Sequence, residues 1–268
     1  MAAIRTAVLR ANGSGTYGVG GGVVADSDPD AEYDEARLKG RVLEDLAKDY
    51  GLIETFHWSA QMGFERLARH LDRLQDSAAA LGFGFDRPAT ERELACRAHD
   101  WATAAVGDRR VHLLLQRSGA LTVEDAAAPA SDDKPAALGF ATSRLDAADP
   151  FLRHKTTLRA TYEAAAADAD AAGWAEALIL NRSGEVADGA RHTLFADVGG
   201  RLVTPPLSSG ALPGVLRQEL IEAGRASERP LSSGGLKTAN RLFIGNSLRG
   251  LRQAYLLPGR LRLRGHSA

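Results

Sequence analysis

From Leu52 onward the chain alternates short strand-patterned apolar runs with helical stretches, and no segment repeats another. Such a pattern can bury its apolar faces only by packing helices on sheets, so it predicts an α+β or α/β fold in two unequal pieces. The spacing predicts a strand over Leu52–Trp58 and a helix over about 64–81, with Leu67, Leu71, Leu74 and Ala78 on one face. A second helix is predicted over roughly 88–105. Strands are predicted over 111–115, 121–123, 138–142, 176–180, 193–198, 202–204, 241–245 and 252–257. Helices are predicted over 157–171, 214–223 and 234–239, and a small, acidic, proline-containing loop over 126–135.

Composition narrows the class. A chain of 268 residues with 44% hydrophobic and 25% charged residues has enough apolar material for a real core. Its net charge of −1 gives no basic surface for nucleic acid or anionic lipid. No apolar run approaches the roughly 18 residues needed to cross a bilayer. The first residues lack the apolar core of a signal peptide, so a cytoplasmic enzyme is the expectation. Cys96 is the single cysteine, which excludes a disulfide framework. The seven histidines lack the spacing of zinc ligands.

Among 33 lysines and arginines only five are lysines: Lys39, Lys48, Lys134, Lys155 and Lys237. Arginine serves wherever charge alone is needed, whereas a lysine amine can be tuned into a nucleophile or base. Lys48 and Lys134 sit in polar surroundings that read as surface. Lys155, in Arg-His-Lys-Thr-Thr-Leu-Arg (153–159), is the candidate for chemistry.

The N-terminal stretch carries a different signal. The glycine run Gly18–Gly22 lacks the third glycine of a dinucleotide fingerprint, since Val23 stands there, and an acidic run follows it. Pro29 opens a predicted helix on which Glu32, Glu35 and Lys39 share a face. Two carboxylates so placed could hold Mg²⁺ through oxygen, and the lysine could meet an anion. A solvated Glu/Lys face accounts for the same spacing.

Taken with Ile4-Arg5-Thr6, Gly18–Val24 and Asp26-Ser27, the Pro29-x-x-Glu-x-x-Glu-x-x-x-Lys spacing resembles the C-terminal end of chorismate-utilising enzymes, in particular aminodeoxychorismate synthase component I. The resemblance implies magnesium-site roles for Glu32 and Glu35 and a substrate-carboxylate role for Lys39. It covers only about residues 3–45, so residues 1–48 are expected to be the remnant of a chorismate-binding domain that does not catalyse alone.

From residue 51 a second resemblance takes over. Its pieces are Leu52-Ile-Glu54-Thr55, His70-Leu-Asp-Arg73-Leu, Lys155-Thr-x-x-Arg159-x-x-Tyr162, Gly184-Glu-Val-Ala-Asp188-Gly189, Leu194-Phe195, Thr204-Pro-Pro, Leu212-Pro-Gly214-Val-Leu-Arg217 and Phe243-Ile-Gly-Asn246-Ser247. Their order is similar to the fold-type IV pyridoxal phosphate enzymes, which include branched-chain and D-amino-acid aminotransferases and 4-amino-4-deoxychorismate lyase. The resemblance implies an α+β fold of two α/β subdomains over 49–268, a small one at 49–140 and a cofactor-binding one at 150–268, and a homodimer.

It also implies roles. Lys155 would bond to the cofactor aldehyde and shuttle protons, which requires a neutral amine. Gly214, Val215 and Leu216 would present free N–H groups to the cofactor phosphate at a helix start, with Arg73 and Ser247 as further donors. Asp188 would face the pyridine nitrogen, where the family usually has glutamate; Glu185 is the alternative. Thr193 stands where the family commonly has asparagine. His57, Arg159 and Arg249 are candidates for substrate carboxylates. The two resemblances are to enzymes of consecutive steps, as in natural synthase–lyase fusions. They imply a pyridoxal phosphate-dependent lyase that converts 4-amino-4-deoxychorismate to 4-aminobenzoate and pyruvate for folate, with a separate synthase polypeptide as a possible partner. An aminotransferase on the same fold, or a non-catalytic fragment of the synthase, are the rival expectations.

Overall fold

A computed structural model describes residues 7–10, 15–21, 27–30, 32–33, 36, 40, 49–130 and 134–257. The chain divides into two units, Met1–Asp49 and Tyr50–Ala268. In the first, strand β1 (Ala7–Leu9) pairs antiparallel with β2 (Gly15–Tyr17). Residues 29–30, 32–33, 36 and 40 are helical, and the Ser27 hydroxyl donates to Glu32 Oε1 at 2.8 Å. Glu35 and Lys39, the other members of the predicted magnesium and anion face, lie outside the described residues.

The second unit holds two sheets. The smaller has the order β4 (Gly63–Phe64), β3 (Leu52–Ser59), β5 (Arg109–Leu115), β6 (Leu121–Ala127), antiparallel throughout. Helices α1 (Leu67–Leu81) and α2 (Arg87–Thr103) complete this subdomain. The Asp86 side chain caps α2 by accepting the Ala89 N–H at 2.9 Å, and Pro88 supplies a preset φ in its first turn. Strand alternation sends Leu52, Phe56 and Trp58 into the core with Leu71, Leu74, Leu94, Val111 and Leu113.

The larger sheet has eight strands in the order β12 (Ala226–Glu228), β11 (Arg201–Thr204), β10 (Thr193–Val198), β13 (Arg241–Asn246), β14 (Gly250–Leu256), β7 (Ala136–Leu145), β8 (Glu176–Asn181), β9 (Val186–Gly189). It is mixed: β11 with β12, β14 with β7 and β7 with β8 run parallel, and the remaining pairs antiparallel. Helix α3 (Ala160–Ala172) packs its small residues Ala165 and Ala169 against one face. Leu178, Leu194, Val203 and Ile244 belong to a second core cluster. Two further helices, α4 (Val215–Glu222) and α5 (Ser233–Leu236), precede β12 and β13.

Several expectations shift. The stretch 126–127 belongs to β6 rather than to the predicted loop. Strand β7 begins at Ala136 and pairs in the eight-stranded sheet, so residues 136–140 group with the larger subdomain, not with the smaller one expected to reach 140. Helix α3 starts at Ala160 rather than 157. The backbone before it is tied to the smaller sheet: Ile53 N–H donates to Lys155 O at 2.9 Å and Thr157 N–H to Gly51 O at 2.9 Å. A segment whose N–H and C=O groups are committed to a strand edge has none left for a helical turn. That tie is also what brings Lys155 beside β3.

Candidate active site

A cavity of about 310 Å³ opens between the two sheets of the second unit. Its walls come from β3, α1, the 155–162 segment, the turn after β9, the start of α4 and the end of β13. Of the residues singled out in the sequence, Lys155, Arg73, Asp188, Gly214, Val215, Leu216, Ser247 and Arg159 all line it. Side chains more than 170 positions apart meet here.

Lys155 Nζ donates to Thr55 Oγ1 at 3.4 Å, and among the described residues no carboxylate forms an ion pair with it. Burial pushes its amine down to about 7. The Glu54 carboxylate opposes that shift, while the Arg73 and Arg159 guanidiniums add to it. The neutral form that a nucleophilic amine requires is therefore well populated at neutral pH.

Asp188 is its counterpart on the opposite side of the charge ledger. It is buried, and its two oxygens accept from Gly189 N–H at 3.0 Å and Leu212 N–H at 3.2 Å. Burial raises its carboxyl to about 7. Those two N–H groups and Arg217 work against the rise, and nearby Glu176 works with it. Among the described residues no cation pairs with it. Glu185, the alternative, does not line the cavity. It accepts from Asn181 Nδ2 at 3.1 Å and from the Ser209 hydroxyl at 2.7 Å.

The residues expected to hold a phosphate come together at the start of α4. Gly214 is the N-cap of α4, with φ −66° and ψ 137° and no capping side chain, so the first N–H groups of the helix lack an intrahelical acceptor. A Cβ on Gly214 would stand 3.2 Å from Thr193 Oγ1, so a side chain there would crowd the wall. Arg73 reaches the same place from α1 by donating Nη1 to Pro213 O at 3.0 Å. Its other nitrogens form a fork on Glu54, Nε to Oε1 at 2.7 Å and Nη2 to Oε2 at 2.6 Å. Ser247 Oγ lies 2.7 Å from His70 Nε2.

Arg159 donates Nη2 to Ala190 O at 3.2 Å and stacks over the Tyr162 ring at 4.8 Å. Among the described residues no carboxylate pairs with it. The other two substrate candidates stand elsewhere. His57 bonds Glu65 through Nδ1 at 2.9 Å and meets Asp108 at 3.3 Å, outside the cavity. Arg249 is exposed and does not line it.

Three residues with no role assigned from sequence also shape the site. Glu54 is fully buried and holds both Arg73 and His70; burial would raise its carboxyl, but those partners hold it down at about 2. The signal for it was a glutamate on the apolar face of β3, between Leu52 and Phe56. Glu176, also buried, accepts from the backbone N–H groups of Ala177, Ala190 and Arg191 and lies 2.6 Å from His192 Nδ1, which fixes the turn under Asp188. The Tyr162 hydroxyl is buried in the wall without a partner among the described residues, and burial together with Asp188 raises its pKa.

An aldehyde-bearing, phosphate-bearing pyridine fits this donor set. An amine with a lowered pKa, a buried acid with no ion-pair partner and a hydroxyl with no hydrogen-bond partner among the described residues, and a set of N–H and guanidinium donors face one space of suitable size.

Comparison with known proteins agrees. Residues 1–45 match the model of the chorismate binding enzyme family. A solved structure from Mesorhizobium loti, provisionally named an amino-acid aminotransferase, is 41% identical, with TM-score 0.72, and the match covers 78% of this chain and 100% of that one. The 4-amino-4-deoxychorismate lyase of Pseudomonas aeruginosa is 25% identical, with TM-score 0.67, over 78% of this chain and 84% of that one. A provisionally named branched-chain-amino-acid aminotransferase of Methanocaldococcus jannaschii is 28% identical over 73% of this chain and 74% of that protein. Residues 51–255 match the amino-transferase class IV model, and the chain belongs to that family of pyridoxal phosphate-dependent enzymes.

Proposed function

We propose that this chain is a pyridoxal phosphate-dependent 4-amino-4-deoxychorismate lyase that releases pyruvate and 4-aminobenzoate. The observation that carries the cofactor assignment is the pairing of opposites in one cavity: among the described residues no carboxylate forms an ion pair with Lys155 and no cation forms one with Asp188. The cofactor, when bound, supplies an aldehyde for amines and a pyridinium ring that withdraws electrons. Arg73, Ser247 and the N–H groups of Val215 and Leu216 would hold its phosphate. Asp188 would keep the ring nitrogen protonated by accepting its N–H, and the Tyr162 hydroxyl, without a partner among the described residues, could donate to an oxygen acceptor of the cofactor. Lys155 Nζ would take the proton from the amine-bearing carbon of the substrate. The Arg159 guanidinium would hold a substrate carboxylate.

Lyase chemistry is favoured by the chorismate-binding match at residues 1–45 of the same polypeptide. A chorismate-derived amine is the substrate such a neighbour would supply, and a synthase polypeptide is the partner it implies. As in the class IV family, we expect a homodimer. An aminotransferase is the second reading, favoured by the M. loti and M. jannaschii relatives. Purified protein supplied with 4-amino-4-deoxychorismate should release pyruvate, and Lys155→Ala should abolish it. Amino transfer to a 2-oxo acid without pyruvate release would establish the second reading instead.

A further inference from the structure

A line of three buried side chains runs from the smaller sheet to the phosphate cradle. Glu54 Oε2 lies 2.6 Å from His70 Nδ1, and His70 Nε2 lies 2.7 Å from Ser247 Oγ. Their exposures are 1%, 1% and 8%, so the three contacts lie in the protein interior at the edge of the cavity. The protons along the line can be counted. Glu54 is held ionised by Arg73 and His70 and brings none. The hydrogen between Glu54 and His70 therefore sits on Nδ1. In neutral imidazole Nε2 is then a bare acceptor, and it takes the hydroxyl proton of Ser247. A serine hydroxyl has one proton. It cannot be given to His70 and to a phosphate oxygen at once.

We propose that anion binding in the cradle is coupled to protonation of His70. When a phosphate dianion takes the Ser247 O–H, Nε2 of His70 gains a proton from solvent and donates it to Ser247 Oγ. The direction of the hydrogen bond reverses, no covalent bond between heavy atoms changes, and the site gains one positive charge against the dianion. The charged groups around His70 divide. Glu54 on β3 favours the imidazolium; Arg73 on α1 and Lys155 disfavour it, and the Phe56 ring, 5.2 Å away, carries no charge. With burial added, the balance in the cofactor-free protein lies with neutral His70, as its lowered pKa also indicates. His70 thus positions the serine proton rather than touching the cofactor. The inference rests on reading the cavity as a phosphate-ester site.

Calorimetric titration of the cofactor-free protein with pyridoxamine 5′-phosphate, in two buffers of different ionisation enthalpy, tests it. This probe lacks the aldehyde, so Lys155 chemistry does not contribute. At about pH 8 its phosphate is already a dianion, since the second pKa of a phosphate monoester is near 6. The wild type should take up about one proton per site more than Ser247→Ala, and its bound ³¹P resonance should stay at the dianion position. His70→Gln should bind the probe without the extra uptake. Equal uptake in wild type and Ser247→Ala would overturn the coupling, as would a monoanion ³¹P position, which puts the proton on the ligand. Absence of saturable probe binding would sink the cofactor reading itself, and the coupling with it.

Discussion

Glu54 grips the Arg73 guanidinium with both oxygens, at 2.7 and 2.6 Å, from a position that is 1% exposed. A bidentate fork of this kind fixes the guanidinium in the plane it needs to reach past Pro213 toward the start of α4. The carboxylate therefore orients Arg73 toward the start of α4. Glu54→Gln would leave the largely buried Arg73 guanidinium, 11% exposed, without its counter-ion. We expect a loss of about 3–5 kcal/mol in stability, read by urea unfolding of the cofactor-free protein. Cofactor affinity should weaken in parallel.

Lys155 predicts a pH effect with a definite sign. Its folded pKa of about 7 lies below the ordinary 10.5, so between those values the unfolded chain binds more protons than the native one. Stability of the cofactor-free protein should then rise with pH across that window as the burial penalty fades. Lys155→Met should be more stable than wild type near neutral pH, and that advantage should shrink as pH rises. An advantage that is constant with pH would show that the amine is not desolvated as described.

Asp188 predicts the opposite slope. Its folded pKa of about 7 lies above the ordinary 3.8, so the native state holds the extra proton in that window and stability falls as pH rises through it. Asp188→Asn should flatten this dependence in the cofactor-free protein. In the holoenzyme the same change, by removing the partner of the ring nitrogen, should lower turnover by on the order of 10²-fold or more with little change in KM.

The three candidates for substrate carboxylates should separate cleanly. Arg159→Ala removes a charge-assisted contact of about 1.5–3 kcal/mol, equivalent to a roughly 10- to 100-fold rise in KM. Arg249→Ala and His57→Ala alter residues outside the cavity and should leave KM within about twofold. Steady-state kinetics on the three variants decides the assignment.

The sequence by itself determined which chemistry was possible. One rare lysine in an arginine-rich chain, a proline–glycine pair opening a helix and ordered family motifs named Lys155, Gly214 and Asp188 before any contact was known. Strand alternation and leucine spacing located most elements, because period-two and 3.6-residue patterns are local properties of the chain. Only the tertiary structure decided which charges are satisfied. Glu54 and Glu176 carried no role in the sequence reading, and burial shows that each organises the wall of the site from behind. Arg159, His57 and Arg249 were equivalent in sequence, yet only Arg159 faces the cavity. The start of α3 at Ala160 and the small-subdomain boundary before Ala136 depend on strand partners about 100 residues or more away in sequence. Desolvation and ion pairing are set by such distant neighbours, and it is they that lower the Lys155 amine and raise the Asp188 carboxyl.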